Sequence, residues 1–462
     1  MRGLRLIHTH LYGEDFNEDD LTDLALLRLD TISILHIDDS GEPFRIKTAY
    51  LMPTNPENKM YGILEETSIH NQKVVYKEFI EALESEIYEK AISIKRNKLI
   101  PSAILVGVYG NKKEADEKMS ELKEIASSAM LEVLSDFKQV KSKIDPKYVI
   151  GSGKLKEIVI RGMQLSADYI IFDNELTPTQ AKNISEIAEL KILDRTQIIL
   201  DIFARRAKSN EGKLRVELAQ MKYILPRLSV RDDSLSRLTG GIGGRGPGET
   251  KLEIDKRRIN EKIAFLSQKL KEIEKNRSVQ KKKRDKNSLP VVSIIGYTNA
   301  GKSTLLHALT NSEVYADDLM FATLDTSSKR IRFPREREVI ITDTVGFIRD
   351  LPEGLKGAFK STLEELDESD MLLHVIDISD NDYERKIASV NAILSDLSLE
   401  NKKIVMVFNK IDLIKDDELE NFQDIYPEAV FVSALDRGTF KNLLERIQLE
   451  LFKGGRDVKI TI

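Results

Sequence analysis

Eight residues constrain the fold of this chain more than any others: Gly296-Tyr297-Thr298-Asn299-Ala300-Gly301-Lys302-Ser303. They follow the apolar, strand-like run Val291 to Ile295 and precede a helical pattern from Thr304 to Leu309. The two glycines let backbone N–H groups turn inward around an anion, and the lysine adds a point charge. The serine hydroxyl suits a divalent cation, and the N-terminus of the following helix faces the same spot. The pattern predicts a strand–loop–helix unit that holds the phosphates of a nucleoside triphosphate.

Three downstream segments narrow the ligand. Asp343-Thr344-Val345-Gly346 closes the apolar strand Glu338 to Thr342, where an aspartate can hold Mg²⁺ through a water and a glycine amide can reach a γ-phosphate. Asn409-Lys410-Ile411-Asp412 follows the buried-strand pattern Lys403 to Phe408. The Asp412 carboxylate can accept both the ring N–H and the exocyclic amine of guanine. Adenine lacks that ring donor, so a buried Asp412 would be left poorly paired beside ATP. The base is therefore expected to be guanine. Ser433-Ala434, after the strand Ala429 to Val432, fits a loop that closes over the base. Phe321-Ala322-Thr323-Leu324 supplies Thr323 as a second hydroxyl for Mg²⁺ beside Ser303. Ser433 or Thr323 alone would read as an ordinary turn residue. In this order and spacing the set resembles the GTPase superfamily, which implies hydrolysis of GTP to GDP and phosphate.

One departure bears on mechanism. Where Ras-like enzymes place a water-orienting glutamine after the glycine of the second segment, this chain has Phe347, which cannot hydrogen-bond a water. Asn299 resembles the asparagine with which some GTPases of this hydrophobic kind help hold a monovalent cation, here K⁺. Equally, it can simply tolerate a positive φ in a tight loop. Slow intrinsic turnover, accelerated by a partner, is the expected consequence.

At 462 residues the chain has room for about three domains, and 41% hydrophobic residues support packed cores. Zero cysteines exclude disulfides and thiolate metal sites. No apolar run approaches the roughly 18 residues of a membrane helix, and Met1 to Arg5 leads into a strand pattern rather than a signal peptide. Cytosol is the expected compartment, peripheral membrane association is left open, and a monomer is expected. The net charge of −5 gives no hint of nucleic acid over the whole chain.

Local charge does. From Lys251 to Lys286 there are 14 Lys and Arg against 6 Asp and Glu, ending in Lys281-Lys282-Lys283-Arg284, for which a phosphate backbone is a fitting partner. Apolar residues at Leu252, Ile259, Ile263, Leu266, Leu270 and Ile273 make a narrow helical seam, one arm of a helical hairpin. A solvated interdomain helix would show similar charge. The segment before it, Gly240 to Thr250, holds six glycines in eleven residues with Arg245 as its one cation. Such a segment suits close backbone approach to a partner. A second phosphate site is disfavoured because no Lys-Ser follows. The other arm carries Arg205-Arg206-Ala207, Glu211-Gly212-Lys213-Leu214-Arg215, Tyr223 and Pro226-Arg227-Leu228.

These strings, the glycine loop running into Gly248-Glu249-Thr250-Lys251-Leu252-Glu253, and the GTPase set together resemble the HflX family over roughly Ile104 to the end of the chain. The resemblance implies a ribosome-associated GTPase whose amino-terminal domain and helical hairpin dock on the large ribosomal subunit. It also implies a glycine loop that reaches toward the peptidyl transferase centre, and a GTP-bound form that separates stalled ribosomes. Carried over to this sequence, Gly243, Gly244, Arg245, Gly246 and Gly248 become rRNA contacts, joined by Lys281, Lys282, Lys283 and Arg284. A large-subunit assembly GTPase without splitting activity and a nucleotide-dependent RNA-remodelling enzyme are the alternatives.

The expected fold class is α/β and multidomain: a doubly wound GTPase sheet plus an amino-terminal α/β domain with a helical hairpin. Residues 1–98 form an extension, 101–207 the amino-terminal domain, 208–288 the hairpin, 289–455 the GTPase domain and 456–462 a tail. In the amino-terminal domain the sequence predicts a strand Ala103 to Tyr109, a helix Glu114 to Leu134, a strand Ala167 to Phe172, a helix Thr177 to Leu190 and a strand Ile192 to Arg195. Gly151-Ser152-Gly153-Lys154 reads as a helix start rather than a second phosphate site. In the extension, Leu4 to His8 reads as a strand, Leu21 to Leu29 as a helix and Ile32 to Met52 as a hairpin.

His8-Thr9-His10 with Asp20 and Asp23 superficially resembles the zinc site of JAMM-type peptidases, but Leu11 stands where a proline is usual and the Ser-x-x-Asp spacing is not met. It reads as a strand end. The sequence stops at Ile462, where many family members continue into a small domain; either that domain is lacking or the sequence is a fragment at one or both ends.

Overall fold

Three sheets carry the chain. The computed structural model describes residues 3–10, 14–38, 40–52, 61–71, 74–96, 100–188, 190–207, 209–231, 251–284, 289–310, 327–333, 337–343, 346–347 and 366–452. They divide into two compact units, Met1–Arg195 and Thr196–Ile462.

In the first unit, β1 (Arg5–Thr9), α1 (Glu18–Leu26), β2 (Thr31–Ile37), β3 (Pro43–Leu51) and β4 (Tyr61–Ser68) are followed by α2 (Tyr76–Arg96). The sheet runs β1-β2-β3-β4, with β1 parallel to β2 and the other pairs antiparallel. Asn17 caps α1 in a capping box with Asp20, which fixes where the helix starts. Leu21, Leu24 and Leu29 then close over Ile32 and Ala49.

A second, all-parallel sheet runs β6-β5-β7-β8, with β5 (Ser102–Tyr109) buried along its whole length, as a strand covered on both faces must be. The helices α3 (Lys112–Ser128), α4 (Ser152–Gln164) and α5 (Pro178–Ile187) accompany β6 (Glu132–Val140), β7 (Tyr169–Phe172) and β8 (Lys191–Asp194). Here the structure corrects the expected helix Glu114 to Leu134. The helix ends at Ser128, Met130 takes a left-handed φ of 56°, and Leu131 N–H bonds back to Ala126 O at 3.0 Å. That is a Schellman stop with methionine where glycine is usual, and the following residues pair with β5 as β6. Arg195, at the start of α6 (Arg195–Arg206), is buried and meets Glu121 and Asp173 at 3.0 Å each.

In the second unit, which takes in α6 from Thr196 onward, α7 (Asn210–Arg231) is packed on α8 (Lys251–Arg284). Val216, Ala219 and Tyr223 of α7 are buried, as are Leu266 and Leu270 of the expected α8 seam, and Lys262 bridges to Glu217 at 3.0 Å. The sheet that follows has the order β10-β11-β9-β12-β13-β14. Its strands are β9 (Val291–Gly296), β10 (Ser327–Phe333), β11 (Arg337–Asp343), β12 (Met371–Asp377), β13 (Ile404–Asn409) and β14 (Val430–Phe431). All neighbours are parallel except β10 and β11. The helices α9 (Lys302–Leu309), α10 (Tyr383–Asp396), α11 (Asp416–Ile425) and α12 (Lys441–Leu451) connect or flank the strands. Chain order reverses on either side of β9, which places a crevice beyond its carboxyl end. Among the described residues no helix is long and apolar enough to cross a membrane.

Candidate functional site

The loop that leaves β9 is shaped by steric necessity. A Cβ on Gly296 would lie 2.2 Å from Val375 O of neighbouring β12, so only glycine lets the two strands approach. Gly301, with φ +85°, caps α9, and a Cβ there would lie 2.2 Å from Asn409 Nδ2. Between them Asn299 adopts φ +62°, the conformation its residue type tolerates.

Asn409 is the joint of the site. Its side chain, buried at the end of β13, donates from Nδ2 to Ala300 O at 2.9 Å and accepts the Ala434 N–H on Oδ1 at 2.8 Å. One amide thus ties the phosphate loop to the segment after β14. That segment is braced in turn: Ser433 N–H donates to Thr439 Oγ1 at 3.0 Å, and Ser433 Oγ accepts from Leu435 N–H at 3.3 Å.

Lys302, the first residue of α9, is buried, and its ammonium donates to Tyr297 O at 2.6 Å. Burial pushes its pKa down to about 8, against the pull of the Asp343 carboxylate. A buried ammonium so placed is stabilised by any anion brought to the loop. Gly346 lies against it: a Cβ there would be 3.0 Å from Lys302 Nζ and 2.8 Å from Thr298 Cγ2. Ser303 Oγ donates to Asp343 Oδ2 at 2.6 Å. A hydroxyl and a carboxylate are the hard oxygen donors that Mg²⁺ takes, so the pair fits that ion. Thr298 Oγ1 is buried with no hydrogen-bond partner among the described residues, a donor available to a ligand oxygen. Thr304 is half-buried one position further along α9. Nearby on β12, burial and then the Lys302 charge push His374 down to about 4, so it is neutral at pH 7.

Phe347 follows Gly346 and lies beside Tyr297 in parallel register. Its side chain is buried, its N–H donates to Gly296 O at 3.0 Å and its carbonyl accepts Thr298 N–H at 2.9 Å. The backbone there continues the sheet beyond the strand ends.

Lys410, at φ +67°, reaches Asp377 at 2.6 Å. The sequence reading missed Asp377, although a carboxylate ending the apolar run Met371 to Ile376 was a signal for it. Asp412 is exposed on the turn Ile411–Leu413, not buried as expected. The turn carries it past the end of β13, so its desolvation would have to come from the base itself. Phe321, Ala322, Thr323, Leu324, Thr344 and Val345 lie outside the described residues, as do Gly243, Gly244, Arg245, Gly246 and Gly248. Lys281, Lys282, Lys283 and Arg284 form the last turn of α8, and their side chains are likewise outside the description.

Against known proteins, residues 116–204 match a family described as GTP-binding GTPase N-terminal, 206–284 one described as GTP-binding GTPase Middle Region, and 291–410 one described as 50S ribosome-binding GTPase. The chain is 51% identical over 351 residues to a GTPase HflX of Caldanaerobacter subterraneus subsp. tengcongensis, covering 76% of this chain and 81% of the relative. It is 40% identical to the GTPase HflX of Escherichia coli, covering 76% and 83%. A solved GTP-binding protein from Sulfolobus solfataricus in complex with GDP is 27% identical, covering 76% of this chain and 99% of that one, with a TM-score of 0.40.

Proposed function

The chain belongs to the HflX family of GTPases, and we propose that its GTP cycle switches its binding to the large ribosomal subunit, with separation of stalled ribosomes as the output. The observation that carries the nucleotide half is the Asn409 joint, which draws the phosphate loop and the base-closing segment together while Ser303 meets Asp343 beside Lys302. In this reading the loop amides and Lys302 hold the phosphates, Asp412 reads guanine, and Ser433 and Ala434 close over the base. Ser303, Thr323 and, through a water, Asp343 would hold Mg²⁺. Bound there, the ion would supply neutralisation of the phosphate charge. Thr344, Val345 and the segment Phe321 to Leu324 complete the phosphate side, and Asn299 holds K⁺.

With Phe347 packed away, no side chain at that position orients the attacking water. The isolated protein therefore turns over slowly, and the ribosome completes the site. The ribosomal half is supported by the 50S-binding description of the family matched at residues 291–410 and by a long helix pair whose connecting segment is rich in glycine. We assign rRNA contact to Gly243, Gly244, Arg245, Gly246, Gly248 and, separately, to the basic run Lys281 to Arg284. The working division is an extension to residue 98, an amino-terminal domain 101–207, the helix pair 208–288 and the GTPase domain 289–455.

Sedimentation with purified large and small subunits tests the reading. With a non-hydrolysable GTP analogue the protein should pellet with large subunits, and with GDP it should stay in the supernatant. Equal pelleting in both states would remove the switch.

A further inference from the structure

His8, His10 and Asp20 lie outside the nucleotide site, in the unit Met1–Arg195. His8 lies in β1, His10 just follows it, and Asp20 sits in the first turn of α1. Their side chains are only 25, 12 and 15% exposed. His8 Nε2 and His10 Nε2 are 2.9 Å apart, Asp20 Oδ1 is 3.4 Å from the first and Asp20 Oδ2 is 3.4 Å from the second. In the sequence the two histidines read as a strand end. What spacing alone could not show is that the Asn17 capping box sets the Asp20 carboxylate opposite both rings.

A proton shared between two imidazoles would account for the 2.9 Å contact alone. It does not account for one donor atom from each residue lying within 4.8 Å of the other two, nor for an Asp20 oxygen 3.4 Å from each imidazole, close to the roughly 3.3 Å donor spacing that a tetrahedral ion with bonds of about 2.0–2.1 Å imposes. Second hydrogen bonds hold two of the groups in that orientation. His10 Nδ1 lies 3.2 Å from Glu14 O, so an N–H there donates to the carbonyl and leaves the Nε2 lone pair facing the cluster. Asp20 Oδ2 accepts the Asn17 N–H at 3.0 Å. Outer partners of this kind fix the tautomer and aim of metal ligands. Two imidazoles with one carboxylate suit a borderline first-row ion rather than Mg²⁺ or Ca²⁺. Among the described residues no fourth His, Cys, Asp or Glu joins the group.

We propose that His8, His10 and Asp20 bind one divalent transition-metal ion of the zinc class, with a water in the fourth position. The three residues belong to the unit Met1–Arg195, whereas the nucleotide residues all lie in the other unit.

The test uses the full chain, stripped of metal with a chelator and returned to Mg²⁺ and GDP so that the nucleotide residues are engaged. Zn²⁺ is then titrated in competition with a chromophoric zinc chelator. Wild type should take up one tight equivalent. His10→Gln and Asp20→Asn should each weaken that uptake at least about a hundredfold. Asp20→Asn retains an oxygen that can accept the Asn17 N–H, so α1 keeps its cap, and circular dichroism and GDP affinity should match wild type in both variants. Zinc should also raise the unfolding temperature of wild type and not of the variants. No tight equivalent in wild type, or the same uptake in both variants, would overturn the proposal.

Discussion

A buried ammonium and a buried amide settle most of what the nucleotide residues can do. Lys302 titrates near 8 because burial disfavours its charge. Phosphates beside it restore the charge and raise its pKa, so nucleotide binding takes up a proton above about pH 8. GDP affinity should therefore be flat from pH 7 to 8 and then fall with rising pH, approaching tenfold per unit; calorimetry across pH 7 to 10 reads this directly, and a flat profile would mean that the lysine stays charged without phosphate. Asp412→Asn should weaken GTP binding by at least about tenfold and favour xanthosine nucleotides, because an amide can donate to the 2-oxo group where the carboxylate accepted an N–H. Competition binding with GTP and XTP checks it, and unchanged GTP preference would unseat Asp412. The sequence showed these residues because the chemistry fixes their types at fixed spacing. It did not show Val375, Asp377 or Thr439, which act through position alone: a carbonyl that forces Gly296, a carboxylate under Lys410 and a hydroxyl bracing Ser433.

Strands were more legible than helix ends, and one backbone motif explains why. The helices ending before Arg28, Met130, Ser166 and Ser398 all stop with that residue at positive φ, and the next N–H bonds back to a carbonyl five residues earlier. Glycine usually marks such stops. Without it the apolar pattern runs on unbroken, which is why the expected helix Glu114 to Leu134 reaches into the first residues of β6. The α8 seam was legible because only one stripe is apolar, and Leu266 and Leu270 are its buried centre.

The length of α8 also separates two surfaces. Its 34 residues put Lys281 to Arg284 about 50 Å from the end that joins the glycine segment. One contact patch cannot include both. Arg245→Ala with Gly244→Ala should leave GDP affinity and intrinsic hydrolysis near wild type while weakening function on the large subunit. Replacing the four basic residues of the run should instead weaken binding generally and flatten its salt dependence, since those charges read only phosphate. Sedimentation of both variants with large subunits across a salt series distinguishes them. A loop variant that pellets and splits ribosomes like wild type would reduce that loop to a connector.

At the scale of the whole molecule, the GTPase sheet reverses its strand order at β9, and that reversal gathers residues from Gly296 to Ala434 at one crevice. Phe347 pairs through its backbone with Gly296 and Thr298 and its side chain is buried, so on the function proposed above the partner has to complete the hydrolytic site. The site as proposed binds GTP by itself and hydrolyses it efficiently only on its partner. Steady-state release of phosphate from GTP by the purified full chain, alone, with small subunits and with large subunits, in K⁺ and in Na⁺, tests this most directly. Turnover should be slow alone, unchanged by small subunits and raised at least about tenfold by large subunits, with K⁺ outperforming Na⁺ if Asn299 holds the cation. Fast turnover by the protein alone, with no response to large subunits, would contradict it.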